Sequence, residues 1–172
     1  MKAALVTMVA AALTGLVVAA YASAATSVSG TFVTHFGRGV GASNDPCPPD
    51  TFCGTGTLSG YGEGTKITDF VSFEPIEGTA CADVEVVQEI MVEAGTLVLV
   101  GEGTFCSPGA SDAAHFSDRA YGHPHVLDLT FVVDAEASTG AFAGASGSGS
   151  EHVTFAGDVA VATLAATITL TS

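Results

Sequence analysis

Three polar side chains fall on the apolar phase of strand-like runs, and their types and spacing make them the residues of this sequence best suited to chemistry. Gln88 shares its parity with Val84, Val86, Ile90 and Val92; His125 with Leu127, Leu129 and Phe131; Glu151 with Gly149, Val153 and Phe155. Alternate residues of a strand face the same way, so each polar group points to the side its apolar neighbours bury. An unpaired carboxylate or imidazole is costly there and needs a hydrogen-bond partner, a shifted pKa, or a cavity that admits water or ligand. A carboxylate and a histidine facing one pocket would serve as general acid and base, so Glu151 with His125 or Gln88 is the catalytic set expected of a cyclase or isomerase. The plainer explanation is a solvated rim or a structural hydrogen bond, because His125 and Glu151 stand near strand ends.

Other chemistry is less well provided for. His123-Pro124-His125 sets two imidazoles two residues apart, with His115 and Asp118 as further donors, a spacing zinc or copper can use. Pro124 more simply marks the start of a strand. Asn44, Asp45 and Asp50 lack the ligand loop of a calcium site and read as a turn. The chain has no nucleophile elbow, no phosphate-binding loop and no solenoid-length repeat, so no metal and no cofactor is expected.

The elements that must position these residues are strands. Period-two alternation recurs after Ala25, with no sustained 3.6-residue stripe, and the strand-like runs are 27–37, 52–65, 67–74, 83–92, 96–105, 124–135, 148–156 and 159–171. Eight strands in one domain predict an all-β, eight-stranded antiparallel barrel, which leaves no exposed edge; a two-sheet β-sandwich is the alternative. The phase predicts acid outward and apolar inward: Asp83, Glu85, Glu89 and Glu93 oppose Val84, Val86, Ile90 and Val92, and Ala160, Ala162, Leu164, Ala166, Ile168 and Leu170 face in from the last strand. Gly54, Gly56, Gly60, Gly62 and Gly64 share one face with Leu58, and a glycine face in a strand implies that something approaches it closely. Either Phe32, Phe36, Phe131 or Phe155 fills that space, or it stays partly open as a pocket for a small apolar ligand, with Tyr61, Phe131 and Phe155 as the ligand-contacting candidates. The stretch 107–123 has no clear period and is expected to cap one mouth as a loop.

Thr139-Gly140-Ala141-Phe142-Ala143-Gly144-Ala145-Ser146-Gly147 resembles the T-G-x-F-x-G-A-x-G turn of the dirigent and allene oxide cyclase-like β-barrels, on Thr139, Gly140, Phe142, Gly144, Ala145 and Gly147. Two final strands follow it, as in that superfamily, and the resemblance spans residues 27–171. It implies an eight-stranded antiparallel barrel with a central cavity for apolar small molecules, often oligomeric, sometimes guiding cyclisation or radical coupling. The matched residues are architectural: three glycines permit a compact reversal and Phe142 anchors it. None is a group that does chemistry, so the resemblance carries fold and not activity.

Composition bounds the rest. The 172 residues carry 18 acidic and 4 basic side chains, a formal charge of −14, which argues against nucleic acid and anionic membranes as partners. Residues 1–24 read as a secretory signal peptide: Lys2, an apolar run from Ala3 to Ala20, then Ala22-Ser23-Ala24, with cleavage expected before Ala25. The expected product is a single domain, 25–172, secreted, with no membrane segment, in which Arg38, Lys66 and Arg119 face all 18 acids (3 − 18 = −15). All four cysteines lie in that part, and an even count in an oxidising compartment predicts disulfides. Folding back at Glu93-Ala94-Gly95 brings Cys81 beside Cys106, leaving Cys47 to pair with Cys53. The leading expectation is a secreted barrel that binds a small apolar molecule or acts at the cell surface without catalysis. The alternatives are a cyclase or isomerase working in the cavity, and a structural envelope or spore-surface protein; self-association is compatible with each.

Overall fold

A computed structural model describes residues 24–37, 47–107, 125–157 and 159–171. The leader up to Ser23, Asn44 and Asp45, and His115, Asp118 and His123 lie outside the described residues. The strands are β1 (Ala25–Phe36), β2 (Thr51–Leu58), β3 (Gly62–Pro75), β4 (Cys81–Val92), β5 (Gly95–Cys106), β6 (His125–Val133), β7 (Ser146–Ala156) and β8 (Val159–Thr169). Each pairs antiparallel with the next, and β8 returns to β1, so the sheet is a closed barrel and not a sandwich. Closure joins Ala25–His35 of β1 to Val159–Thr169 of β8 over eleven consecutive residue pairs, which leaves neither strand an open edge.

The alternation predicted from the sequence sets the two faces of the wall. Val84, Val86, Ile90, Leu127, Leu129, Phe131, Ala160, Ala162, Leu164 and Ile168 are buried inside, and Asp83, Glu85 and Glu89 are exposed outside. The second and third strands differ from the expected bounds. Residues 52–65 are not one strand: the chain reverses at Ser59-Gly60-Tyr61, and Leu58 pairs with Gly62. Gly60 and Gly62 have φ of 80° and 89°, a conformation that favours glycine and so places the reversal there. Lys66, which the expected break separated from both strands, therefore lies within β3, opposite Gly54 and Ile90. A second adjustment is at the β4–β5 hairpin, whose loop is Glu93-Ala94 alone, with Val92 opposite Gly95. That register sets Cys81 directly opposite Cys106, and the two are bonded, as are Cys47 and Cys53.

The glycine face is filled at Gly54, Gly56 and Gly64, whereas Gly60 and Gly62 leave it for the exposed turn and have open space around them. A side chain at Gly54 would meet the Val33 carbonyl at 1.9 Å, and one at Gly56 would meet the Thr31 carbonyl at 2.1 Å and the Phe32 ring at 2.6 Å. Close approach of β1 and the buried Phe32 thus take the room that side chains would need. Phe131 plays the same part over Gly149, where an added Cβ would stand 2.6 Å from its ring.

The two ends of the barrel are closed differently. At one, the 134–145 connection folds inward: Ala141 N donates to the Ala94 carbonyl, Thr139 N to the Thr96 carbonyl, and Val98 N to Ser138 Oγ. The turn drives the fully buried Phe142 into the lumen against Tyr61, ring centres 4.7 Å apart. At the other end, where the chain leaves β1 and β5 and enters β2 and β6, aromatic rings meet across the mouth.

Candidate functional site

Among the described residues, one charged cluster lies inside the barrel, in a lining otherwise made of apolar side chains and a few threonines such as Thr34 and Thr68. Lys66 on β3, Gln88 on β4 and Glu151 on β7 all face inward and are 1–2% exposed. In a ring of eight strands β3 and β7 are four apart in either direction, so Lys66 and Glu151 reach toward each other across the diameter. Lys66 Nζ donates to Glu151 Oε1 in an ion pair, and Gln88 Nε2 donates to Oε2 of the same carboxylate. Both carboxylate oxygens are thereby used. Gln88 Oε1 is buried and has no hydrogen-bond partner among the described residues, an omission that costs about 1–3 kcal/mol in a protein interior.

The electrostatics follow from burial. Desolvation pushes the Lys66 ammonium below the ordinary lysine value of 10.5, and the adjacent Glu151, by charge and by hydrogen bond, works against that shift. An ammonium and a carboxylate held together away from water are a proton-sharing couple: the lower the effective dielectric, the smaller the preference for the charged pair over a neutral amine and acid.

Directly beyond Lys66 and Gln88 is a gap of about 10 Å³, lined also by Thr34, Thr68, Phe52, Phe70 and Phe155. Its size is about that of one water. Over it lies the aromatic layer, to which β1, β2, β3, β5, β6 and β7 all contribute. Phe36 meets Phe52 at 5.1 Å; Phe52 meets Phe70 at 6.1 Å and Phe155 at 5.3 Å; Phe105 meets Phe155 at 5.3 Å and Phe73 at 5.7 Å. All five of these contacts are edge-on pairs with tilts of 60–76°, the arrangement aromatic quadrupoles prefer. A bulge at Val71, between the Phe70–Val86 and Ser72–Glu85 pairs, turns both Phe70 and Phe73 toward this mouth.

The expected site residues are distributed as follows. Glu151 and Gln88 come together in the lumen and bond directly. His125 does not join them: it stands opposite Phe155, four residues along β7 from Glu151, roughly 13 Å at the usual strand rise. There His125 stacks on Phe105 at 5.2 Å, and its Nδ1 is 2.6 Å from Ser107 Oγ, so it belongs to the aromatic layer. Phe155 lies over the gap, Phe131 is packed in the wall facing Gly149, and Tyr61 is at the opposite end with Phe142, so the three do not line one cavity. His35, Cys47 and Cys53 bring donor atoms within 4.8 Å of one another, but both sulfurs are in a disulfide and offer no thiolate.

Sequence reasoning passed over Lys66. The signal was there: Lys66 has the parity of Gly54, Gly56, Leu58 and Gly64, and is therefore inward, but the expected strand break fell on it. The rings of Phe52, Phe70, Phe73 and Phe105 went unremarked because nothing in their spacing says that three strands, β2, β3 and β5, bring them to one mouth.

Fold and site together define a closed antiparallel barrel with a buried Lys–Glu–Gln cluster under an aromatic lid. No protein-family model, no curated protein and no solved structure matches this chain. Among the described residues no helix is long and apolar enough to cross a membrane.

Proposed function

We propose that the protein is an exported carrier whose barrel takes up one small, mainly apolar molecule with a single polar group, through the aromatic end. The observation that carries this reading is the Lys66–Glu151–Gln88 cluster, buried directly beneath rings that are only partly buried themselves, such as Phe52 and Phe70. Replacing a buried ion pair by apolar side chains of similar size is often neutral or stabilising, so the pair is poorly explained by stability alone. The unpartnered Gln88 Oε1 supplies an acceptor for a ligand's polar group. Rotation of Phe52, Phe70 and Phe155 outward would enlarge the gap from the size of a water to that of the rings displaced. The turn at 139–147, with its resemblance to dirigent and allene oxide cyclase-like barrels, supports the same reading, and the leader and the two disulfides support export.

Because the chain contains no Trp, Phe70→Trp places a single fluorescent reporter in the lid. Titration with neutral N-phenyl-1-naphthylamine is expected to give saturable, one-to-one quenching of that reporter and enhanced probe emission. Absence of saturable binding by this and other neutral apolar probes would remove the carrier reading. A second reading, proton-transfer catalysis on the bound molecule, is favoured by the direct contact of an amine with a carboxylate. It predicts exchange of the α-hydrogens of a bound ketone for deuterium, followed by mass spectrometry and lost in Glu151→Gln.

A further inference from the structure

We infer that Lys66 captures aldehydes or ketones covalently, as an imine, with Glu151 as proton donor and then as counter-ion. The inference rests on the carrier reading above and names the class of molecule carried.

Three features of the lumen favour a carbonyl compound over other polar ligands. The first is the nucleophile. Lys66 is the one lysine after Lys2, and its amine stands between a carboxylate and the gap, walled by Phe52, Phe70 and Phe155. Desolvated lysines in apolar pockets are the usual imine-forming residues, because burial favours the neutral, nucleophilic amine.

The second is proton balance. Starting from the ammonium–carboxylate pair, Lys66 Nζ passes one proton to Glu151. The free amine lone pair then attacks the carbonyl carbon, a C–N bond forms, and a second nitrogen proton moves to the former carbonyl oxygen, giving a carbinolamine. Glu151 returns its proton to that hydroxyl, the C–O bond breaks, water leaves, and the nitrogen lone pair closes the C=N bond. The product is a protonated imine beside the Glu151 carboxylate. One carbonyl compound has been exchanged for one water, nothing is oxidised or reduced, and the charges at the site are the same before and after. A lumen that accommodates an ammonium against a carboxylate needs no new compensation to accommodate an iminium there.

The third is the orphan acceptor. Gln88 lines the gap and is held by its Nε2 to Glu151, which leaves its buried Oε1 with no hydrogen-bond partner among the described residues. The carbinolamine hydroxyl and the departing water both carry a proton that Oε1 can accept. Neither a hydrocarbon nor an ether would satisfy it.

The test uses the full mature chain with both disulfides intact, and a matched pair of neutral probes, 2-naphthaldehyde and 2-naphthalenemethanol. The protein is incubated with the aldehyde and sodium cyanoborohydride, which reduces the iminium to a stable secondary amine, and the adduct is located by peptic mapping and mass spectrometry. The inference expects one naphthylmethyl group per chain on Lys66, suppressed by excess 2-naphthalenemethanol. Burial lowers the ammonium's pKa and so raises the share of free amine at neutral pH, and labelling should outpace that of Nα-acetyl-lysine under the same conditions. Lys66→Arg, which keeps the charge and cannot form the imine, should bind the alcohol and yield no lumen adduct. The wild-type map decides the question even if that variant fails to fold. Saturable binding of the alcohol with no adduct on Lys66 would overturn imine capture and leave the carrier reading standing. Labelling of Lys66 only in urea would overturn it equally, and failure of both probes to bind would remove both readings.

Discussion

Glu151→Leu removes the carboxylate across the lumen while keeping its approximate volume, and so leaves a buried ammonium with no counter-charge and Gln88 Nε2 with no acceptor. Two unit charges about 4 Å apart at an effective dielectric near 20 attract by about 4 kcal/mol. Lys66 is only 1% exposed, and no other acidic side chain is buried among the described residues, so little screening or substitution is available. The expected loss is that of breaking a buried pair from one side, about 3–5 kcal/mol. For a chain of this size that corresponds to a fall of about 10–15 °C in Tm. The companion variant Lys66→Met, Gln88→Leu, Glu151→Leu replaces the whole cluster by apolar groups and should return to wild-type stability or exceed it by about 1–4 kcal/mol. Urea unfolding of the oxidised proteins, followed by circular dichroism, measures both. A single variant within about 1 kcal/mol of wild type would show that Lys66 escapes to water. A triple variant as unstable as the single one would show that the cluster holds the barrel together, and the argument for a functional site would lose its ground.

Further outcomes follow from the same structure. Burial lowers the Lys66 pKa below 10.5; between the lowered value and 10.5 the unfolded chain still binds a proton that the barrel has released. Stability should therefore rise with pH across that window, by up to about 1.4 kcal/mol per pH unit, and be level below it, where both states are protonated. The difference between wild type and the triple variant, measured by denaturant unfolding from pH 7 to 10.5, isolates this slope. Cys81–Cys106 spans 25 residues and Cys47–Cys53 spans 6, so loop closure assigns them about 3.5 and 2.2 kcal/mol. Replacing the first pair by Ala should lower the denaturation midpoint more than replacing the second. Gly56→Ala sets a methyl group 2.1 Å from the Thr31 carbonyl and 2.6 Å from the Phe32 ring. It should cost about 1–3 kcal/mol through displaced backbone, seen as a lower Tm with an unchanged far-ultraviolet spectrum.

What could be read from the chain alone was what depends on neighbours in sequence. Alternation is a property of one strand, so the inward phase of Val84, Ile90, Leu127 and Leu164, and with it the oddity of Gln88 and Glu151, was legible before any pairing was known. Cys81–Cys106 was legible too, because a single hairpin joins them. The strand break that hid Lys66 was misplaced because Gly60, Gly62 and Gly64 are alike as letters, and only backbone φ distinguishes the turn from the strand that follows. The pairing of Lys66 with Glu151 was beyond reach for a different reason. They are 85 residues apart on opposite walls, and whether they touch depends on closure, on the number of strands and on the stagger between them, which no local pattern encodes. The same holds for the lid, where rings from six strands arrive at one mouth only once the sheet has closed.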